Sequence, residues 1–221
     1  MDITDRKDRI LIITGGFIEE AFLRELLRKE AYSMIIAADH GLMMADRLNI
    51  RLDYILGDFD SVPEEILNKY REGSVPIKTY PTEKDKTDTQ IAIELALKHA
   101  PVTIDLVGAT GSRLDHTLAN LHLLLLPMQL KVDAFLLDRY NRISLRQSSF
   151  HLTKAGQYGD YVSLLPFTGE VRGLTLTGFK YPLEQVTMTL GSSLGISNEI
   201  AAEEARVEFN EGILIVFETR D

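Results

Sequence analysis

Short β-branched apolar runs alternate with stretches of helical periodicity from Arg9 as far as Leu137. Runs at residues 9–14 (RILIIT), 34–38 (MIIAA), 54–56 (YIL), 75–80 (VPIKTY), 102–107 (VTIDLV) and 131–137 (KVDAFLL) predict strands. Between the first two, Phe17, Ala21, Leu23, Leu26 and Leu27 recur near helical spacing and predict a helix over residues 17–30. A short helix is expected over 42–48. Another is expected over 63–70, with Pro63 as a favoured first helical residue. Residues 87–99, with Ile91, Ile93, Leu95, Ala96 and Leu97, predict an amphipathic helix, and residues 114–126 a further one ended by Pro127. Strands alternating with helices imply a parallel sheet covered on both faces, a three-layer α/β/α, Rossmann-like arrangement. Right-handed crossovers put the carboxyl ends of all its strands along one edge. Ligands bind at that edge, where the strand order reverses.

The pattern changes near residues 138–141. Residues 161–165, 173–176, 186–190, 206–209 and 213–217 read as short strands, and Asn210-Glu211-Gly212 reads as a hairpin turn. The expected organisation is therefore an α/β domain over residues 1–139 and an all-β sandwich over 140–221. No low-complexity linker separates them.

With 221 residues, 45% of them hydrophobic, the chain can bury a sizeable core in one large domain or two modest ones. Its net charge of -9 argues against a nucleic-acid partner, which calls for basic stripes that displace counterions. The absence of cysteine excludes disulfides, zinc-thiolate sites and thiol nucleophiles. The polar start, Met1-Asp2-Ile3-Thr4-Asp5-Arg6, is no signal peptide, and no apolar run has the length of a membrane span. A cytoplasmic enzyme without a membrane or nucleic-acid partner is the expectation.

The segments just past the strands carry the candidate chemistry: Gly15-Gly16, Asp39-His40-Gly41, Gly57-Asp58-Phe59-Asp60-Ser61, residues 81–88 ending Lys84-Asp85-Lys86-Thr87-Asp88, and residues 108–115. Four of these five contain aspartate, so the fold gathers acid at one edge. Clustered carboxylates repel one another unless a cation sits among them, and a hard divalent ion beside a phosphate substrate fits that need. Magnesium uses few carboxylates and takes water or phosphate oxygens as its other ligands. Singly, Asp39, Asp60 and Asp88 can each be read as a helix N-cap. Capping does not explain a pair two residues apart, Asp58 and Asp60.

Gly108-Ala109-Thr110-Gly111-Ser112-Arg113 is a glycine-rich turn between strand and helix, of the kind that offers backbone N–H groups to phosphate. It lacks the ending of a P-loop, and Gly15-Gly16 completes no dinucleotide fingerprint. Arg113 can clamp phosphate as a fork or form a surface ion pair. His116 can serve as an acid-base group, a cap or a core residue. Residues 191–199 form a polar, glycine-bearing loop that reads as a bend or as a small-ligand contact.

Ala37-Ala38-Asp39, Gly57-Asp58-Phe59-Asp60-Ser61, residues 81–88, residues 108–120 (GATGSRLDHTLAN) and Ser197-Asn198-Glu199 together resemble thiamine pyrophosphokinases, in order and over nearly the whole chain. The resemblance implies transfer of diphosphate from ATP to thiamine, yielding thiamine diphosphate and AMP. It implies that Asp58, Asp60 and Asp88 hold Mg2+, with Asp115 a further catalytic carboxylate. Asp39, Lys84, Thr87, Arg113, Asp115 and His116 would line the nucleotide and phosphate region. Thr87, Ser197 and Asn198 would lie near thiamine. A homodimer with the active site at its interface is implied as well. His40 and Ser112 depart from the family, which commonly has a small residue and a second glycine there. Lys84, Lys86 and Arg113 are the candidate cations for the transferring phosphates. The alternatives are a diphosphokinase for another small alcohol such as a pterin, and a non-catalytic nucleotide or thiamine sensor.

Overall fold

The computed structural model describes residues 8–60, 62–80 and 85–221. The chain divides between Arg139 and Tyr140 into two compact units.

The first unit alternates strand and helix: β1 (Arg9–Ile13), α1 (Glu20–Lys29), β2 (Met34–Ala38), α2 (Gly41–Arg47), β3 (Tyr54–Gly57), α3 (Glu64–Arg71), β4 (Ile77–Thr79), α4 (Asp88–Leu97), β5 (Thr103–Val107), α5 (Leu114–Leu123), α6 (Leu125–Gln129) and β6 (Asp133–Leu137). Its strands run in the order β4-β3-β2-β1-β5-β6, and each neighbouring pair is parallel. The central strand β1 is apolar because helices cover both faces: Leu11, Ile12 and Ile13 are fully buried. The chain winds outward from β1 to β4, then returns to place β5 on the other side of β1. The order therefore reverses between β1 and β5.

Two helix boundaries differ from the sequence expectation. Helix α1 begins at Glu20, and Phe17 is 71% exposed rather than on its buried face. The Phe17 amide donates to Thr110 O at 3.1 Å, and the Gly16 amide to Gly108 O at 2.8 Å, which ties the bend after β1 to the 108–110 loop. The helix expected over 114–126 is broken at Leu124, and Pro127 falls inside α6. Proline is tolerated there because the first turn of a helix does not need its N–H.

The second unit is all β: β7 (Asn141–Arg146), β8 (Phe150–Thr153), β9 (Tyr161–Pro166), β10 (Glu170–Thr177), β11 (Leu183–Thr189), β12 (Glu204–Glu208) and β13 (Leu214–Thr219). Strand β13 pairs antiparallel with β7 and β9. The other sheet runs β11-β10-β12-β8, also antiparallel. Val162, Leu164, Val171, Leu174, Met188, Val207 and Val216 form a core drawn from both sheets, as in a sandwich. Strands β7 and β8 add to those read from sequence. The expected hairpin at Asn210-Glu211-Gly212 is instead a crossover, since β12 and β13 belong to different sheets. Its turn is held from the side: Asn210 N donates to Arg172 O, and Arg172 N to Glu211 O.

Among the described residues, no helix is long and apolar enough to cross a membrane.

Candidate active site

A cleft of about 960 Å3 opens in the first unit where the strand order reverses. All five segments past the strands contribute: Gly15 and Gly16 after β1, Asp39 after β2, Asp58 after β3, Asp85 to Asp88 before α4, and Gly108 to Arg113 after β5. The volume suits a ligand of nucleotide size.

Strand register brings the acids together. Ala38 pairs with Leu56, so Asp39 stands beside Gly57, the last residue of β3, and Asp39 N donates to Leu56 O at 2.8 Å. Gly57 has φ +150, and a Cβ there would sit 3.1 Å from the Asp39 backbone. Only glycine allows that approach without strain. Phe59 follows with φ 62 and a buried ring, pinning the turn to the core. Asp58 and Asp60 flank this anchor, and Asp60 N donates to Asp58 Oδ1 at 3.3 Å.

None of the three aspartates is an N-cap. The N-cap positions of α2, α3 and α4 are His40, Pro63 and Thr87. The Thr87 hydroxyl accepts the Gln90 amide at 3.2 Å, which leaves Asp88 in the first turn of α4, where the helix dipole favours negative charge. Capping therefore does not account for Asp39, Asp60 or Asp88.

Among the residues expected at the site, Asp39, Asp58, Thr87, Asp88, Arg113 and His116 line the cleft. Asp60 and Asp115 are exposed and outside its lining. Arg113 forks onto Asp115, with Nη2 2.7 Å from Oδ2. That pairing holds the Asp115 carboxyl below its ordinary range, helped by the His116 amide, and pushes the Arg113 guanidinium up. Lys86 reaches the lining, but its ammonium is 2.9 Å from both Glu94 oxygens. The ammonium, with help from Gln90, draws the Glu94 carboxyl down. Lys84 lies outside the described residues. Ser197 and Asn198 belong to the second unit. Ser197 is exposed in left-handed backbone, φ 56. Asn198 is buried, and its amide is engaged by Tyr181 N, Tyr181 O and Glu199 N.

Thr14, Phe17, Thr89, Thr117 and Asn120 also line the cleft, though the sequence reading did not single them out. His116, Thr117 and Asn120 lie on one face of α5, so the i, i+4 spacing beyond Arg113 was the available signal.

Among the described residues, no three His, Asp or Glu side chains gather closely enough to hold a metal ion by themselves. Asp58 and Asp88, two of the four aspartates that line this nucleotide-sized cleft, still fit magnesium, whose remaining ligands are ordinarily water and phosphate oxygens.

Residues 25–136 match the family model of the thiamin pyrophosphokinase catalytic domain, and residues 147–214 that of the thiamin pyrophosphokinase vitamin B1 binding domain. A thiamine pyrophosphokinase of Bacillus subtilis (strain 168) is 33% identical over 192 residues, which span 87% of this chain and 90% of that protein. A crystal structure of thiamine pyrophosphokinase from Bacillus subtilis matches the fold with a TM-score of 0.86 at 31% identity, covering 97% of this chain and 100% of that one. One from Geobacillus thermodenitrificans gives 0.83 at 32%, covering 96% and 98%. The strand-end cleft, the β-sandwich and these likenesses over nearly the full length agree: this chain belongs to the thiamin pyrophosphokinase family.

Proposed function

We propose that this chain transfers a diphosphate group from ATP to the hydroxyl of thiamine, giving thiamine diphosphate and AMP. The observation that carries the reading is the meeting of strand-end aspartates with an amide-bearing glycine loop in one cleft at the reversal of strand order. Family membership identifies the chain as an enzyme. In the transfer, the thiamine hydroxyl oxygen forms a bond to the β-phosphorus and its proton passes to solvent water. The bond from that phosphorus to the α,β-bridging oxygen breaks, and AMP leaves with the electron pair. Such chemistry needs little covalent help; it needs positioning and charge neutralisation.

Asp58, Asp60 and Asp88 would hold Mg2+, which when bound offsets charge on the phosphate oxygens. The 108–112 loop supplies backbone amides to the phosphates. Arg113 and Lys86 supply cations that exchange Asp115 and Glu94 for phosphate oxygens. Asp39, Lys84, Asp115 and His116 complete the nucleotide region, with Asp115 a further catalytic carboxylate. Thr87, Ser197 and Asn198 serve thiamine. The α/β unit over residues 1–139 is the nucleotide and metal domain, and residues 140–221 are the thiamine-binding domain. The working form is a cytoplasmic homodimer.

The test is AMP release from ATP and Mg2+ with and without thiamine. Thiamine-dependent AMP is expected. AMP release that ignores thiamine would refute the assignment of the acceptor.

A further inference from the structure

In a glycine-rich turn either amides or carbonyls can face a ligand, and a carbonyl turned toward phosphate repels it. Here three consecutive carbonyls are held from outside the loop. Gly108 O accepts Thr14 Oγ1 at 2.5 Å and Gly16 N at 2.8 Å. Ala109 O accepts Asn120 Nδ2 at 2.8 Å, and Thr110 O accepts Phe17 N at 3.1 Å. Among the described residues, by contrast, no hydrogen bond engages the amides of Ala109, Thr110, Gly111 or Ser112. Carbonyls tied back and amides left for a ligand is the arrangement an anion-binding loop requires. The two side chains that do the tying are buried, Thr14 to 3% and Asn120 to 8% exposure, and both border the cleft.

We propose that Thr14 and Asn120 are positioning residues for the phosphates of ATP. They act through the loop, by holding the Gly108 and Ala109 carbonyls away from the ligand. The inference rests on the diphosphate-transfer reading and adds residues to it. Because they shape the phosphate subsite alone, their loss weakens ATP binding and leaves thiamine binding intact. Asn120→Asp is the more severe change, since a carboxylate cannot donate to Ala109 O and brings negative charge beside the phosphates.

The test uses the full chain with Thr14→Val, Thr14→Ser and Asn120→Asp. Thr14→Val keeps the shape and removes the donor. It is expected to raise KM for ATP about tenfold, with kcat and KM for thiamine within about twofold of the wild type. Calorimetric affinity for inorganic tripolyphosphate should fall by the same factor, and Thr14→Ser should restore both. A merely structural role would lower the active fraction, so kcat would drop with both KM values unchanged; that result overturns the proposal. If Thr14→Val does not fold, Asn120→Asp decides alone: a wild-type KM for ATP in that variant overturns it. Should the wild type form no AMP, the functional reading falls and the inference with it. If the wild type turns over and Thr14→Val keeps its KM for ATP, the inference alone falls.

Discussion

Gly16→Ala should weaken ATP binding. A Cβ at Gly16 would lie 2.2 Å from Gly108 O and 2.5 Å from Thr110 O. Both are backbone atoms and cannot rotate aside. Ordinary contact begins near 3.4 Å, so residues 15–17 must retreat from the loop. A retreat of about 1 Å takes the Gly16 N to Gly108 O and Phe17 N to Thr110 O bonds, now 2.8 and 3.1 Å, beyond hydrogen-bonding range. Two net hydrogen bonds at about 1 kcal/mol each give about 2 kcal/mol. If the loop must recover that geometry to hold phosphate, KM for ATP rises about 30-fold. The assay is steady-state AMP release against ATP at saturating thiamine, with the thermal midpoint followed in parallel. Gly169→Ala is the control, because an added Cβ there meets nothing within 4 Å. A Gly16→Ala enzyme with KM for ATP within about threefold of the wild type would refute the view that the 14–17 segment shapes the phosphate loop.

Asp58→Asn keeps an oxygen to accept the Asp60 amide but removes the charge, so turnover should fall by about a hundredfold or more while the thermal midpoint holds; near-normal turnover at saturating Mg2+ would contradict the proposed metal role. Asp105 is 1% exposed and accepts the Tyr32 hydroxyl at 2.8 Å, with Arg9 at 3.6 Å. Asp105→Ala should therefore cost about 3 kcal/mol in denaturant unfolding, with KM values unchanged. Burial, then the Asp46 carboxylate, pushes Tyr70 up to about 12 from 10.0. The folded state thus holds this proton more tightly. The stability it contributes is complete below pH 10 and is lost as pH rises through 12. Tyr70→Phe should flatten the stability profile in that window; an unchanged profile would show that Tyr70 does not contribute.

The α/β half of the fold was legible because its strands are buried on both faces and read as apolar runs, such as residues 10–13 of β1. The strand ends then located the aspartates. Strands β7 and β8 were less legible: NRISLR and FHLT are short, and arginine and histidine blur their alternation. The turn at residues 210–212 is a local signal, whereas the choice of partner strand is made by packing in the sandwich core, so a crossover looked like a hairpin. At α4, Thr87 and Asp88 are adjacent and both favour capping. Only the geometry shows that Thr87 caps and Asp88 does not. Thr14 and Asn120 were hidden for another reason: one ends an apolar run and the other sits inside a helix. Their polar atoms matter only through contacts 94 and 11 residues away.

Product analysis after a single turnover separates diphosphate transfer from monophosphate transfer. With ATP, thiamine and Mg2+, thiamine diphosphate and AMP should form in equal amounts, with no thiamine monophosphate and no ADP. Formation of ADP with a monophosphorylated acceptor would contradict attack at the β-phosphorus and the proposed diphosphate transfer.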